Sequence, residues 1–400
     1  MQQSNGTRQP LGQKGFNVEE EVRRRYAEGA RQAEAELCCP VHYDARYLDL
    51  IPAEILEKDY GCGDPSAWVG EGETVLDLGS GGGKICYILA QKVGSAGRVI
   101  GVDFNEAMLA LARKYQGEMA DKLGFANTRF VKGRIQDLAL DLDLAQAWID
   151  AHPIRRVEDL ATYEGECNRL RREHPLVPDQ SVDVVVSNCV LNLVRAEDKT
   201  RLFGEIHRVL RRGGRAVISD IVCDEDPTAE ILADPDLWSG CIAGAFREDR
   251  FLEMFETAGF YGIEVLSRQA EPWQVIDGIE FRSLTVRAFK GKEGPCLERN
   301  QAVIYKGPWR KVVDDDGHTL LRGQRMAVCD KTFRIMTDPN GPYAGQIEPV
   351  EPREAVPLDQ ARDFDFKHTG LRHPRETKGL EYRETHTSDS APCRSGPDCC

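Results

Sequence analysis

The sequence predicts an α/β protein built on a doubly wound parallel sheet. Three observations carry that reading. Short apolar runs rich in β-branched residues recur through the middle of the chain, as buried parallel strands do. Segments of helical period separate most of them. A glycine-rich turn, DLGSGGGK (Asp77 to Lys84), joins the first run to the first helix.

The elements follow in order. Residues 1–16 are polar and expected to be disordered. A charged, Ala-rich helix is expected over Val18 to Leu37, then CCP, then a shorter helix around PAEILEKDY. ETVLDLG, RVIGVDF, NTRFVKGRI, SVDVVVSN and RAVISDIV read as five strands. KICYILAQKVG, NEAMLALARKYQGEMADKLG and DKTRLFGEIHRVLRRGG read as helices between them. Right-handed crossovers place every strand's carboxyl end on one rim. The segment 137–182 exceeds a normal connection and is expected to form its own helical excursion near that rim. After Val222 comes a helix, REDRFLEMFETAGF, and then IEVLSRQ and SLTVRAFK, which suggest antiparallel pairing. NQAVIYKGP, HTLLRGQRMAVCD and FRIMTDPNGPY each read as strand-like, and the charged tail from about 360 as mobile.

Composition narrows the function. The chain has 400 residues, 41% hydrophobic and 30% charged, with a formal net charge of −14. An acidic balance argues against nucleic acid, which needs a basic face. No run is long enough for a transmembrane helix and the N-terminus has no apolar signal region, so no membrane partner and a cytoplasmic location are expected. Thirteen cysteines is a high count for such a chain. No CxxC pair and no zinc-finger spacing with His occurs.

Gly79, Gly81 and Gly83 lie between a strand and a helix, where glycine lets the backbone turn and approach a ligand. The spacing is GxGxG, and Lys84 stands where a dinucleotide site needs its third glycine. Asp103 ends the second strand, 20 residues after Gly83, where a carboxylate can accept both ribose hydroxyls. Together these suit a nucleoside cofactor without a pyrophosphate, and S-adenosylmethionine fits. The third strand's end offers Arg134, Ile135 and Gln136 for the adenine edge. A tight turn followed by a surface Asp is the competing reading.

Cys189, in SNCVLNL, follows VDVVV at the ligand rim of the sheet. Cys62 lies in the Gly-rich loop YGCGDP, Cys241 in LWSGCIAGAF, and Cys38 and Cys39 in CCP upstream. Each alone reads as a small buried hydrophobe. Three thiolates converging on one point select a soft acceptor. Zinc normally takes a fourth ligand; a trivalent metalloid such as As(III) takes three sulfurs and keeps a lone pair. That lone pair, aimed at a sulfonium methyl, needs no general base.

YGCGDP, VLDLGSGGGK, GVDF, SNCVLNL, RVLRRGGRAVISDI and DPDLWSGCIAGAF resemble, in order, the signature blocks of arsenite S-adenosylmethionine methyltransferases. The likeness runs from about Cys38 to Phe246 and continues more weakly into NQAVIYKGP and MAVCDKTF. It implies a Rossmann-like class I methyltransferase sheet with an appended arsenic-binding segment and a smaller C-terminal α+β domain. It implies Cys189 and Cys241 as essential arsenic ligands, with Cys62 the third. It also implies that Cys38 or Cys39 works with Cys62 in redox, through a disulfide formed and reduced during turnover. The candidate cofactor contacts are Asp77, Gly79, Ser80, Gly81, Gly83, Asp103, Phe104, Arg134, Ile135 and Asn188. The expected units are 1–60, a helical cap with the Cys38–Cys39 pair; 61–225, binding S-adenosylmethionine; 226–290, binding arsenic; 291–360, the C-terminal domain; and 361–400, a mobile tail with cysteines. Methylation of As(III), free or as thiol conjugates, to mono- and dimethylated forms is expected. A thiol reductant, glutathione or thioredoxin, would support it, with the protein a monomer. A methyltransferase for an organic or lipid acceptor, and a metalloid-sequestering protein without turnover, are the alternatives. Gly240 stands before Cys241 where the family pattern has a glutamate.

Overall fold

The computed structural model describes residues 17–32, 41, 43–58, 60–365, 370–379 and 381–382. Cys38, Cys39, Cys393, Cys399 and Cys400, and most of the expected tail, lie outside them. The chain divides into two compact units, Met1–Lys292 and Glu293–Cys400.

In the first unit, β1 (Thr74–Leu78), β2 (Arg98–Asp103), β3 (Thr128–Lys132), β4 (Val182–Asn188) and β5 (Leu210–Cys223) run parallel. They are followed by β6 (Phe246–Arg247), β7 (Tyr261–Arg268), β8 (Gln274–Ile276) and β9 (Ile279–Phe289). The order across the sheet is β3-β2-β1-β4-β5-β9-β7, with β9 antiparallel to both β5 and β7. The winding reverses between β1 and β4, so the crevice opens at their carboxyl ends. Both faces are covered. Leu76, Leu78, Val185 and Ile218 point into one core with Phe203, Phe251 and Phe255. Val75, Val184, Val186 and Val217 point into the other with Tyr87, Leu89 and Ile55. This two-sided burial is why the strand sequences run apolar without alternation.

Local differences from the sequence expectation have physical causes. The helix begun at Lys199 ends at Val209, and the chain is extended from Leu210, with φ −65° and ψ 135°. The RRGG residues therefore belong to β5, not to the helix. The helix expected over 105–124 breaks at Tyr115 into Glu106–Lys114 and Gln116–Leu123. The 137–182 excursion is two helices, Leu142–Ala151 and Val157–Glu173, around a small core of Leu140, Ala145, Cys167 and Leu170. Arg171 and Arg201 both bind the Asp137 carboxylate at its start, at 2.8 and 2.9 Å.

The second unit holds an antiparallel sheet of Ala302–Tyr305, Arg325–Ala327 and Ile347–Val350. Its core gathers Val303, Tyr305, Val328, Phe333 and Met336. FRIMT, expected as strand, is instead part of the helix Asp330–Thr337. Cys329 caps that helix, its sulfur accepting the Thr332 N–H, and Phe333 and Met336, three residues apart, share the buried face. Arg362–Asp363 pairs with Leu297–Glu298, and Pro374–Lys378 is helical.

Candidate active site

A cleft of about 1060 Å³, partly open to solvent, lies at the sheet's switch point. Asp77, Gly79, Ser80, Gly81, Asp103, Phe104, Arg134, Ile135, Asn188 and Cys189 all line it. Gly83 lies just behind, its positive φ of 89° opening the helix Lys84–Val93. The turn hangs on β2: Gly79 and Ser80 donate to the Val102 carbonyl at 2.8 and 3.0 Å. Gly79 has φ 66°, and a Cβ there would come within 2.3 Å of Val190. Asp103 accepts from Gly81 N at 2.9 Å and Asn105 N at 2.7 Å, and its burial raises its pKa. The Ser80 hydroxyl is buried with no partner among the described residues. A carboxylate at the strand tip, an orphan hydroxyl and an apolar wall of Phe104, Met108 and Ile135 fit an adenosine moiety.

The helix Val18–Gly29 forms the remaining wall. Glu19 bonds Arg134 at 3.1 Å and Gln136 at 3.3 Å, and Arg25 bonds the Asp236 carbonyl and Ser239 hydroxyl. Tyr26 lines the cleft, and its hydroxyl lies 3.9 Å from Cys241 Sγ.

The structure brings Cys62, Cys189 and Cys241 together. Ligating atoms of Cys62, Cys189 and Asp220 lie within 4.8 Å of one another. The Cys189 thiol is in hydrogen-bonding contact with both Cys62 and Cys241. Cys241 Sγ also donates to the Cys189 carbonyl at 3.2 Å. Cys62 and Cys241 are each 4% exposed, while Cys189 is half-buried and faces the cleft.

Each cysteine is held by backbone. Asn188 Oδ1 accepts from Cys62 N at 2.9 Å and Gly63 N at 3.1 Å, and Asn188 Nδ2 donates to the Gly63 carbonyl and to the Tyr43 hydroxyl. Only glycine fits at 61, where a Cβ would lie 2.3 Å from Asn188 Nδ2. Cys189 and Cys241 both have left-handed backbone, φ 62° and 64°. That conformation costs an ordinary residue about 1–2 kcal/mol, and surrounding bonds hold it. Cys189 N donates to Ser219 O at 2.8 Å, Asp220 accepts from Leu191 N and Ile221 N at 2.8 Å each, and Asn192 Nδ2 reaches the Cys241 carbonyl. Gln180, Asp277 and Asn300 share this conformation, but Cys189 and Cys241 are the two whose thiols meet at the cleft.

Electrostatics keep the Cys189 and Cys241 thiols protonated. A bond from Cys241 pulls the Cys189 pKa down, but the bond to Cys62, burial and nearby negative charge leave it well above the ordinary value. Cys241 is raised by its bond to Cys189 and by burial. Burial lifts Asp220 to about 6, against the N–H bonds and the charge of Lys199 that pull it back. Burial lowers Lys199 to about 8.

Asn188, expected to touch the cofactor, lines the cleft and also clasps the Cys62 loop. Sequence reasoning missed Asp220, Tyr26, Glu19 and Lys199. Asp220 alone had a signal, as a carboxylate inside the apolar strand RAVISDIV. Cys86 and Cys167 sit in apolar cores, Cys86 also bonding Asp77 at 3.2 Å.

The family model described as "Methyltransferase domain" matches residues 70–174 and 168–259, and one described as a domain of unknown function matches 292–382. With the sheet order and the cleft, the chain is a class I S-adenosylmethionine-dependent methyltransferase. An arsenite methyltransferase of Aquipseudomonas alcaligenes is 33% identical over 305 residues, covering 73% of this chain and 77% of its own. The human arsenite methyltransferase is 29% identical over 316 residues, covering 76% of this chain and 74% of its own. The crystal structure of an arsenic(III) S-adenosylmethionine methyltransferase from Chlamydomonas reinhardtii has a TM-score of 0.52 at 27% identity, covering 82% of this chain and 100% of that one. The chain belongs to the arsenite methyltransferase family.

Proposed function

We propose that the protein methylates As(III), held by Cys62, Cys189 and Cys241, and thereby detoxifies it. The observation that carries this is the meeting of the Cys62 and Cys241 thiols at Cys189, itself on the wall of the cofactor cleft. Three thiols, each giving up its proton with a leaving hydroxide, take up neutral arsenous acid with loss of three waters. Three As–O bonds give way to three As–S bonds, and the arsenic keeps its lone pair. Cys241 leaves its bond to the Cys189 carbonyl as it joins. Burial of Cys62 and Cys241 limits water on the acceptor's inner side, which favours transfer from a charged donor to a neutral acceptor. Bound S-adenosylmethionine supplies an electrophilic methyl group. Asp103, the glycine turn and Ser80 hold its nucleoside part, and the left-handed Cys189 keeps the acceptor on the same rim. Repeated rounds give mono- and then dimethylated arsenic, with glutathione or thioredoxin as reductant and Cys38 or Cys39 acting with Cys62.

The Cys62–Cys189–Asp220 group favours a second reading, a cation-sequestering site. Each oxygen of its carboxylate already accepts one backbone N–H, from Leu191 or Ile221, which weakens it as a metal donor beside the thiols. Arsenic K-edge absorption separates the two. Three sulfurs per arsenic in the wild type and two in Cys241→Ser support the proposal; oxygen in the wild-type shell, or three sulfurs kept in Cys241→Ser, overturns it.

A further inference from the structure

The second unit carries a pair of thiols of its own. Cys296 is half-buried, Cys329 is 2% exposed, and neither is in a disulfide. Two ties bring them together. On one side Lys331 Nζ donates to the Gly294 carbonyl at 3.3 Å; on the other Arg299 pairs with Asp330 at 2.7 Å. The residues flanking Cys296 are thus stitched to those following Cys329, and the Cys296 thiol hydrogen-bonds both Cys329 and Lys331. The Cys296 carbonyl accepts from Phe364 N at 2.9 Å, which fixes the loop from behind. Cys329 Sγ caps the helix Asp330–Thr337, accepting the Thr332 N–H at 3.4 Å, which fixes its thiol at the start of that helix.

We infer that Cys296 and Cys329 form a second arsenical site, a two-thiol chelate for monosubstituted trivalent arsenicals. The number of sulfurs sets the ligand. Two thiols displace two hydroxyls, so they match R–As(OH)2, whose third bond is to carbon. In the exchange two As–O bonds break and two As–S bonds form. Each thiol proton leaves with a hydroxide as water, and arsenic stays trivalent, so no oxidant or reductant is needed. Soft sulfur with soft arsenic drives the exchange. Cys296, the more exposed thiol, engages first, and Cys329 closes the ring, leaving the organic substituent toward solvent. The site differs in kind from the rim cluster, whose three thiols suit arsenic with three exchangeable ligands, and it stands whether or not that cluster turns over.

Phenylarsine oxide is the probe. Reduced full-length protein is incubated with it in excess glutathione, which strips singly bound arsenic but not chelates, and bound phenylarsenic is counted by native mass spectrometry. Cys296→Ser, Cys329→Ser and the double variant should each carry one fewer phenylarsenic than wild type. A shared ligand makes the double loss equal to the single loss. Cys189→Ser should keep the C-terminal one. An unchanged count in Cys296→Ser, or single losses that add in the double variant, overturns the inference. Cys296→Ala, at a half-buried position, gives the same decision if Cys329→Ser fails to fold.

Discussion

Asn188→Ala tests how the cysteine cluster is held together. The side chain accepts from Cys62 N and Gly63 N at 2.9 and 3.1 Å and donates to the Gly63 carbonyl at 2.9 Å. Truncation removes the Asn188 acceptor from both amides at a site where Cys62 is 4% exposed. An orphaned buried donor costs about 1–3 kcal/mol, and Gly63 is only partly covered, so the total should be about 2–4 kcal/mol. Urea unfolding of wild type and variant measures it. The loss should be local as well as global: iodoacetamide should label Cys62 at least tenfold faster, while Cys86, packed between sheet and helix, keeps its wild-type rate. Gly61→Ala, which drives a methyl into the same amide, should resemble Asn188→Ala. A stability loss under about 0.5 kcal/mol with unchanged Cys62 labelling would refute the reasoning.

Other outcomes follow from the same geometry. Asp103→Ala should weaken S-adenosylhomocysteine binding about 10- to 100-fold by calorimetry, the worth of one or two bonds to a charged group; unchanged affinity would remove Asp103 from the site. At the left-handed position of Cys189, Gly should be at least as stable as Ala, by up to about 1 kcal/mol, with both variants inactive; a less stable Gly variant would argue against backbone strain there. Lys199 is lowered to about 8 by burial, against about 10.4 in an unfolded chain. The unfolded chain then binds more protons between those values, so stability rises with pH across that window. Wild type should gain up to about 3 kcal/mol on Lys199→Met between pH 8 and about 10.4, and parallel unfolding curves would contradict this.

The sheet was legible because two-sided burial writes itself into SVDVVVSN and RAVISDIV as unbroken apolar runs. The cofactor rim was legible because a strand–glycine–helix junction has few solutions, and DLGSGGGK took one of them. The helix over Asp330–Thr337 was not, because FRIMT satisfies period two and period 3.6 equally and the deciding cap is a cysteine sulfur. Cys62, Cys189 and Cys241 were each visible, but what holds them was not. Their left-handed backbone, the Asn188 clasp across 126 residues and Asp220 beneath them exist only once β4 and β5 are side by side. The Cys296–Cys329 pair escaped for the same reason: two cysteines 33 positions apart carry no spacing signal.

The central claim is that Cys189 holds the acceptor against the cofactor. Purified protein is incubated with As(III), S-adenosylmethionine and glutathione, beside Cys189→Ser, and arsenic species are separated over time. Methylated arsenic should form with wild type and not with the variant, which should still bind S-adenosylmethionine. Methylation persisting in Cys189→Ser, or absent from a wild type that binds the cofactor, would contradict the account.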